Sequence, residues 1–319
     1  LARIGVEIAV AKDFLEGGEL VAIPTETVYG LAGNAFDENA VLSIFRVKNR
    51  PSFDPLIVHT DRVDKIEGFV TDFPSVAQAL ARKFWPGPLT LLLNKRTLIP
   101  DLVTSGLDQV AVRIPDHPLT LDLLSRLEFP LAAPSANPFG YISPTNAHHV
   151  NEQLGERIPY ILDGGESGIG IESTIIGFVD ERPVVYRLGG LALEEIEDVV
   201  GEVVLMPHSS SNPKAPGMLK SHYAPRKPFF LKSRSEIAAL SGGAVHYLLF
   251  DRFLDGVDPV RQKLLSPTGD LNEAARHLFA YLRALDKLPG DAIWAELVPD
   301  KGLGRAINDR LRRAAAISE

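Results

Sequence analysis

The chain has 319 residues, 45% of them hydrophobic and 23% charged, with a net charge of −8 and no cysteine. Such a length accommodates one large domain or two ordinary ones, and the composition is that of a globular protein with a real core. The lack of cysteine excludes disulfides, thiol nucleophiles and thiolate-held metals.

No apolar run is long enough to span a bilayer. Ile4 to Ala11 lacks the layout of a secretory signal, so a cytoplasmic location is expected. Residues 1–206 hold 16 Lys and Arg against 29 Asp and Glu, and residues 207–319 hold 17 against 12. The split suggests two domains. It also argues against the first being a general nucleic-acid binder, which needs a basic field. If this acidic part binds an anion, a few local cations must do it.

Taken in order, Val6 to Leu15 has helical spacing and Leu20 to Ile23 reads as a buried strand. Glu38 to Val47 is a helix, Leu56 to Val58 a strand, and Ser75 to Phe84 a helix. Leu89 to Leu93 and Val110 to Ile114 are strands, followed by a helix over His117 to Leu127. Leu131 to Ala133, Tyr160 to Leu162, Thr174 to Phe178 and Val184 to Tyr186 are strands, and Leu191 to Val199 closes the run as a helix. Interleaving of this kind predicts an α/β fold with a twisted mixed sheet over residues 1–206. Residues 207–228 begin with linker composition, from His208 to Gly217. In residues 229–319, strand Ala244 to Phe250, helix Leu271 to Leu285, strand Ala292 to Ala295 and helix Gly304 to Ala315 predict a smaller doubly wound domain.

Pro24-Thr25-Glu26-Thr27-Val28-Tyr29-Gly30-Leu31 follows the first strand. A polar, glycine-containing turn after an apolar strand is a common place for a ligand. It is equally a strand–turn–helix junction in which Thr25 or Thr27 is only an N-cap. In Arg46-Val-Lys48-Asn-Arg50-Pro51, three cations fall within five residues. They either complement a helix C-terminus, worth about 0.3–1 kcal/mol, or clamp phosphates. Ala133-Pro-Ser135-Ala-Asn137-Pro is a small-residue turn, and Ser143-Pro144 looks like an N-cap with proline at the first helical position; a helix N-terminus is also an anion site. Four glycines between Gly164 and Gly170 allow an anion nest or a plain hairpin-like loop. Arg113 and Arg187 end apolar strands and need anionic partners there. His148-His149 reads as helix surface, and no Walker loop, dinucleotide fingerprint or G-x-S-x-G occurs.

Together the motifs PTETVYGL, K-x-RP before PLIVH, FWPGPLTLLL, VAVRIPDHP, APSAN before SPT, ESTII before VYRLGG, the PGM–SHYAP linker and the ending GLGRAINDRLRRAA resemble the two-domain threonylcarbamoyl-adenylate synthases. These pair a YrdC-like domain with a Rossmann-like one. Ser52-Phe53-Asp54 departs from the pattern, since many relatives place a basic or amide residue before Pro-Leu. The resemblance implies that L-threonine, bicarbonate and ATP give threonylcarbamoyl-AMP and pyrophosphate, and that tRNA threonylcarbamoyltransferase machinery consumes the product. It implies that Lys48 and Arg50 hold the phosphates and that catalysis depends on them. Ser135, Asn137, Ser143, Thr174 and Arg187 would face the nucleotide. Thr25 or Thr27, Tyr29, His59, Arg113, Ala133 and Ser173 would surround threonine, with Arg113 on its carboxylate. Pro216 to Pro225 would fold over the site, with His222 and Tyr223 as contacts. Mg²⁺ would enter on substrate oxygens and water.

Two other functions remain open at this level. One is an RNA-binding module of tRNA modification without its own activity, which the acidic first part disfavours. The other is a carbamoyl-transfer domain like that of hydrogenase maturation proteins, which the absence of cysteine disfavours.

Overall fold

The computed structural model describes residues 1–206, 218, 222–240 and 244–316. Among these, eleven strands form one mixed sheet. Its order is Arg3–Gly5, Tyr160–Leu162, Val21–Ile23, Gly30–Asn34, Leu131–Ala132, Ile57–His59, Gln109–Arg113, Leu89–Asn94, Thr174–Val179, Arg182–Arg187 and Val204–Leu205. Alternation builds two cores across it. Val21 and Ile23 join the cluster of Ala11, Leu15 and Leu124, while Ala22 between them faces that of Val41, Ile44 and Leu56.

A second, four-stranded sheet is all parallel, in the order Phe229–Leu231, Ala292–Ala295, Val245–Leu249 and Gln262–Leu264. Helices Leu271–Lys287 and Gly304–Ala315 bury Leu278, Phe279, Ile307 and Leu311 in a core shared with Val28, Ile142 and Ile171 of the first sheet's loops. The two parts are also locked by polar contacts. Arg283, 2% exposed, donates to the Ile142 and Ser143 carbonyls and to Gln153 Oε1, and Tyr141 donates to Asp286 at 2.8 Å.

Helices Ser75–Phe84 and Gly304–Ala315 and strands Tyr160–Leu162 and Ala292–Ala295 have the bounds their spacing predicts. Others differ for identifiable reasons. Gly30–Asn34 is a strand made of Gly-Leu-Ala-Gly-Asn, residues with little strand preference, drawn into the sheet by two neighbours. Because it pairs antiparallel with Val21–Ile23, the Pro24 to Tyr29 turn joins two strands and leads into no helix. Neither Thr25 nor Thr27 is therefore an N-cap. Ser143 is not one either: Asn146 caps Ala147–Leu154 by accepting from the His149 amide at 2.9 Å. His148 is exposed and His149 half-buried on that helix. The linker expected over His208 to Gly217, and Leu219 to Ser221 of the expected lid, lie outside the described residues. Met218 packs among Ile57, Leu92 and Ile175.

Candidate active site

A narrow cleft, with a cavity of about 50 Å³, opens where the Pro24–Tyr29 turn, the ends of several central strands and His222-Tyr223 meet. Thr25, His59 and Ala133 line one part, Arg50, Ser135 and Arg187 another, and Glu172, His222 and Tyr223 complete it. The remaining residues singled out in the sequence stand behind these and fix them.

The turn is held from within. Thr25 Oγ1 donates to the Val28 carbonyl at 2.6 Å and accepts from the amides of Thr27 and Val28 at 3.2 Å, a local hydroxyl–backbone motif. Thr27 Oγ1 accepts from Arg113 Nη1 at 2.9 Å, so of the two threonines only Thr25 reaches the cleft. Tyr29 is fully buried; its hydroxyl donates to the Gly165 carbonyl at 2.7 Å and accepts from the Gly164 amide at 3.0 Å. Burial raises its pKa. The glycine loop is a buttress rather than an anion nest. The amides of Ser167, Ile169 and Gly170 are taken up by the carbonyls of Thr145, Glu26 and Thr27.

Parallel pairing places His59 directly beside Arg113 on the neighbouring strand. Burial, with Arg113 second, pushes the His59 pKa down to about 3. Its ring is therefore neutral, with Nδ1 3.2 Å from the Ile57 carbonyl. Arg113 Nη2 lies 2.6 Å from Glu26 Oε1, yet neither Glu26 oxygen has a well-aligned hydrogen bond. The contact is an ion pair.

On the cationic side, helix Glu38–Lys48 ends at Asn49 in the left-handed conformation, which turns Arg50 inward. Lys48 is 1% exposed and donates to the Ser135 and Asn137 carbonyls, each at 2.5 Å. It pins the small-residue turn, and burial followed by the Arg50 charge holds its pKa well below the ordinary lysine value. Arg50 donates to the carbonyls of Asp54 and Pro55 at 3.0 and 2.8 Å and pairs with the Asp54 carboxylate at 2.9 Å. Asp54 is thus the counter-charge of the arginine. Asn137 donates to the Pro138 and Tyr141 carbonyls, holding the loop above the cleft.

Ser173 lies 2.8 Å from Thr90 Oγ1 and accepts from Arg187 Nη2 at 3.0 Å. Burial pulls the Arg187 pKa down to about 10. Gly189 allows this approach, since a Cβ there would stand 2.3 Å from the Glu172 carbonyl oxygen. The Thr174 hydroxyl is engaged by Leu191, donating to its carbonyl at 2.8 Å and accepting from its amide at 3.1 Å. Ser143 Oγ donates to Glu172 Oε1 at 2.5 Å, and Arg310 Nε reaches the other oxygen at 3.0 Å.

Glu172, Glu26, Arg310 and Arg313 were not singled out in the sequence, and Asp54 was noted without a role. The signal for the arginines was the ending GLGRAINDRLRRAA, which carries both of them on one helix. Its buried residues include Asn308, Asp309, Arg310 and Arg313.

Two family models tile the chain. Residues 13–189 match the one described as "Telomere recombination", and residues 191–316 match the threonylcarbamoyl-AMP synthase C-terminal domain. The chain is 44% identical to the threonylcarbamoyl-AMP synthase of Pyrococcus abyssi, covering 97% of this chain and 94% of that one. To the Bacillus subtilis synthase it is 40% identical, covering 97% and 93%. The crystal structure of P. abyssi Sua5 complexed with L-threonine superposes with a TM-score of 0.91 at 43% identity, covering 98% of this chain and 94% of that one.

Proposed function

The chain belongs to the threonylcarbamoyl-AMP synthase family, and from that premise we infer that it joins L-threonine, bicarbonate and ATP into threonylcarbamoyl-AMP, releasing pyrophosphate and water. Similarity at 40–44% identity over 97% of the chain carries this reading. The cleft's chemistry accords with it. Displacement at a phosphoryl group depends on positioning and charge neutralisation and needs no protein nucleophile, and the cleft offers cations, hydroxyls and a neutral imidazole.

The steps follow from the chemistry of the reactants. Threonine's amine reacts as the neutral form and attacks the carbon of bicarbonate or of CO₂, giving a carbamate. A carbamate oxygen then attacks the α-phosphorus, and the bond to the β-phosphate oxygen breaks with pyrophosphate leaving. Arg113, at the strand end and bonded to Thr27, is the cation suited to the threonine carboxylate. Thr25, His59, Ala133 and Ser173 frame the amino acid around it, with Thr27 and Tyr29 fixing the turn. Arg50, Arg187 and Lys48 serve the phosphates; two of the three Lys48 donors hold carbonyls, leaving one for a ligand. Ser135, Asn137, Ser143 and Thr174 shape the nucleotide side, and His222 and Tyr223 cover it.

Among the described residues, no three His, Asp or Glu side chains converge as a metal cage. In this proposal Mg²⁺ would arrive on the triphosphate and would offset its charge, with water as its other ligand. The product would pass to the enzyme that transfers the threonylcarbamoyl group to tRNA adenosine, in the cytoplasm. No helix among the described residues is long and apolar enough to cross a membrane. The test is pyrophosphate release from ATP and bicarbonate with each amino acid in turn. Release that does not depend on threonine would overturn the reading.

A further inference from the structure

An α-amino acid arrives as a zwitterion, and its ammonium must lose a proton before the nitrogen can attack carbon. The reaction therefore needs a proton acceptor near the amino group, and the Pro24–Tyr29 turn carries one that has no part in the steps above. Glu26 follows Thr25, a wall of the cleft, and its side chain is 12% exposed. Its Oε1 lies 2.6 Å from Nη2 of Arg113, which pairs with His59, another wall. Yet both Glu26 oxygens and Arg113 Nη2 are buried with no hydrogen-bond partner among the described residues. The rest of the guanidinium is engaged: Nε donates to the Gly87 carbonyl at 3.2 Å and Nη1 to Thr27 at 2.9 Å. A carboxylate and a guanidinium edge buried with unused hydrogen-bonding capacity are costly unless a ligand meets them.

The other groups around the cleft are committed elsewhere or are poor acceptors. Glu172 has Ser143 on one oxygen and Arg310 on the other. Asp54 is paired with Arg50 on the phosphate side. Asp163 accepts from the Gly165 amide at 2.9 Å within the glycine loop, where the Tyr29 hydroxyl is also spent. Lys48 directs its donors at the Ser135 and Asn137 carbonyls. His59, pushed down to about 3 by burial and then by Arg113, is a poor proton acceptor.

We propose that Glu26 holds the ammonium of the substrate amino acid and takes its first proton, while Arg113 passes from Glu26 to the substrate carboxylate. The inference rests on the synthase reading and names the residue that makes the amine reactive. The two charged ends of an α-amino acid are one carbon apart, so an ion pair at 2.6 Å offers each end its opposite charge. In the step, an N–H bond of the ammonium breaks, its electron pair stays on nitrogen and the proton goes to a Glu26 oxygen. The amine then attacks the carbon of bicarbonate, and a second proton leaves with the departing hydroxide as water. Glu26 returns its proton to solvent before the next turnover.

The experiment compares L-threonine with 2,3-dihydroxybutanoate of matching configuration, which keeps the carboxylate and side chain and replaces the ammonium by a hydroxyl. Isothermal titration uses the full chain, wild type and Glu26→Gln, and pyrophosphate release gives kcat. Wild type should bind threonine about 10- to 100-fold more tightly than the analogue, as expected for one charge-assisted bond. Glu26→Gln should erase most of that preference and lower kcat by about 100-fold or more, the reach of general-base catalysis. A glutamate that only positions Arg113 predicts that the substitution weakens both ligands alike, and one that only blocks Arg113 predicts that both bind more tightly. Either result overturns the inference, as does an unchanged kcat in a cooperatively melting Glu26→Gln. Should that variant fail to fold, wild type decides: equal affinity for the two ligands overturns the inference, and a preference of the stated size supports it. A wild type without threonine-dependent pyrophosphate release fails the synthase reading, whatever it binds.

Discussion

Asp54→Asn isolates what holds Arg50 in the cleft. Asp54 is fully buried and Arg50 8% exposed, with Nη2 2.9 Å from the carboxylate. The amide keeps the side chain's size, and the Asp54 and Pro55 carbonyls still accept from the guanidinium, so the substitution removes the charge alone. Removing one partner of a buried pair costs ~3–5 kcal/mol. The two surviving carbonyl bonds and the polar cleft place the expected loss near the lower end. For a domain of about 200 residues, a loss of ~3 kcal/mol lowers the melting temperature by ~6–12 °C. Scanning calorimetry of Asp54→Asn, Arg50→Ala and the double variant measures this. The double variant should lose less than the sum of the singles, because neither charge is then left alone. Melting within a degree of wild type, or strict additivity, would refute the pairing.

Lys48→Ala should keep a native far-UV spectrum and lose about 100-fold in kcat/KM for ATP, roughly 2.7 kcal/mol of transition-state stabilisation; unchanged kinetics removes Lys48 from the site. Polyphosphate should raise the depressed Lys48 pKa, so binding takes up protons. Pyrophosphate titrations in buffers of different ionisation enthalpy should give different heats in wild type and not in Lys48→Ala, and equal heats in wild type sink that account. His59 gives a pH test with a definite sign. Its folded pKa of about 3 lies below the ordinary value of 6.5, so between those values the unfolded chain binds the extra proton. Stability therefore falls as the solution is acidified through that window, by up to ~1.4 kcal/mol per unit. His59→Asn should flatten the slope relative to wild type; parallel urea-melt profiles refute it. Glu26→Gln, which frees Arg113 from its ion pair, should change the KM for threonine with that for ATP unchanged; equal shifts in both would count against Arg113 as the carboxylate ligand.

Most strands of the large sheet were legible because they are short apolar runs bounded by proline, glycine or charge. Gly30–Asn34 was not, since its place comes from neighbours on both sides rather than from its own residues. Ser143-Pro144 carried a good local signal for a helix start. The helix begins three residues later, because the Ser143 hydroxyl has a stronger partner in Glu172, 29 residues away. Lys48, Arg50, Arg113 and Arg187 could be singled out because a cation at the end of a buried element calls for an explanation. What they pair with could not be read where the partner is distant, as Glu26 is from Arg113.

The charge distribution shows how far that limit reaches. An acidic first part, with 29 carboxylates against 16 cations, leaves a polyphosphate few favourable places unless the carboxylates face elsewhere. In the cleft they are locked: Asp54 on Arg50, Glu172 between Ser143 and Arg310. The second part has the opposite balance. Its final helix buries Arg310 and Arg313 against the first part instead of presenting them to solvent. An arginine used on a surface needs no partner, whereas one buried across a domain interface needs either a carboxylate or a ligand. Among the described residues, Arg310 pairs with Glu172 and Asp309, and Arg313 with the shared Asp309 at 3.5 Å. Both arginines are thus met by carboxylates, one of them lent by the acidic first part.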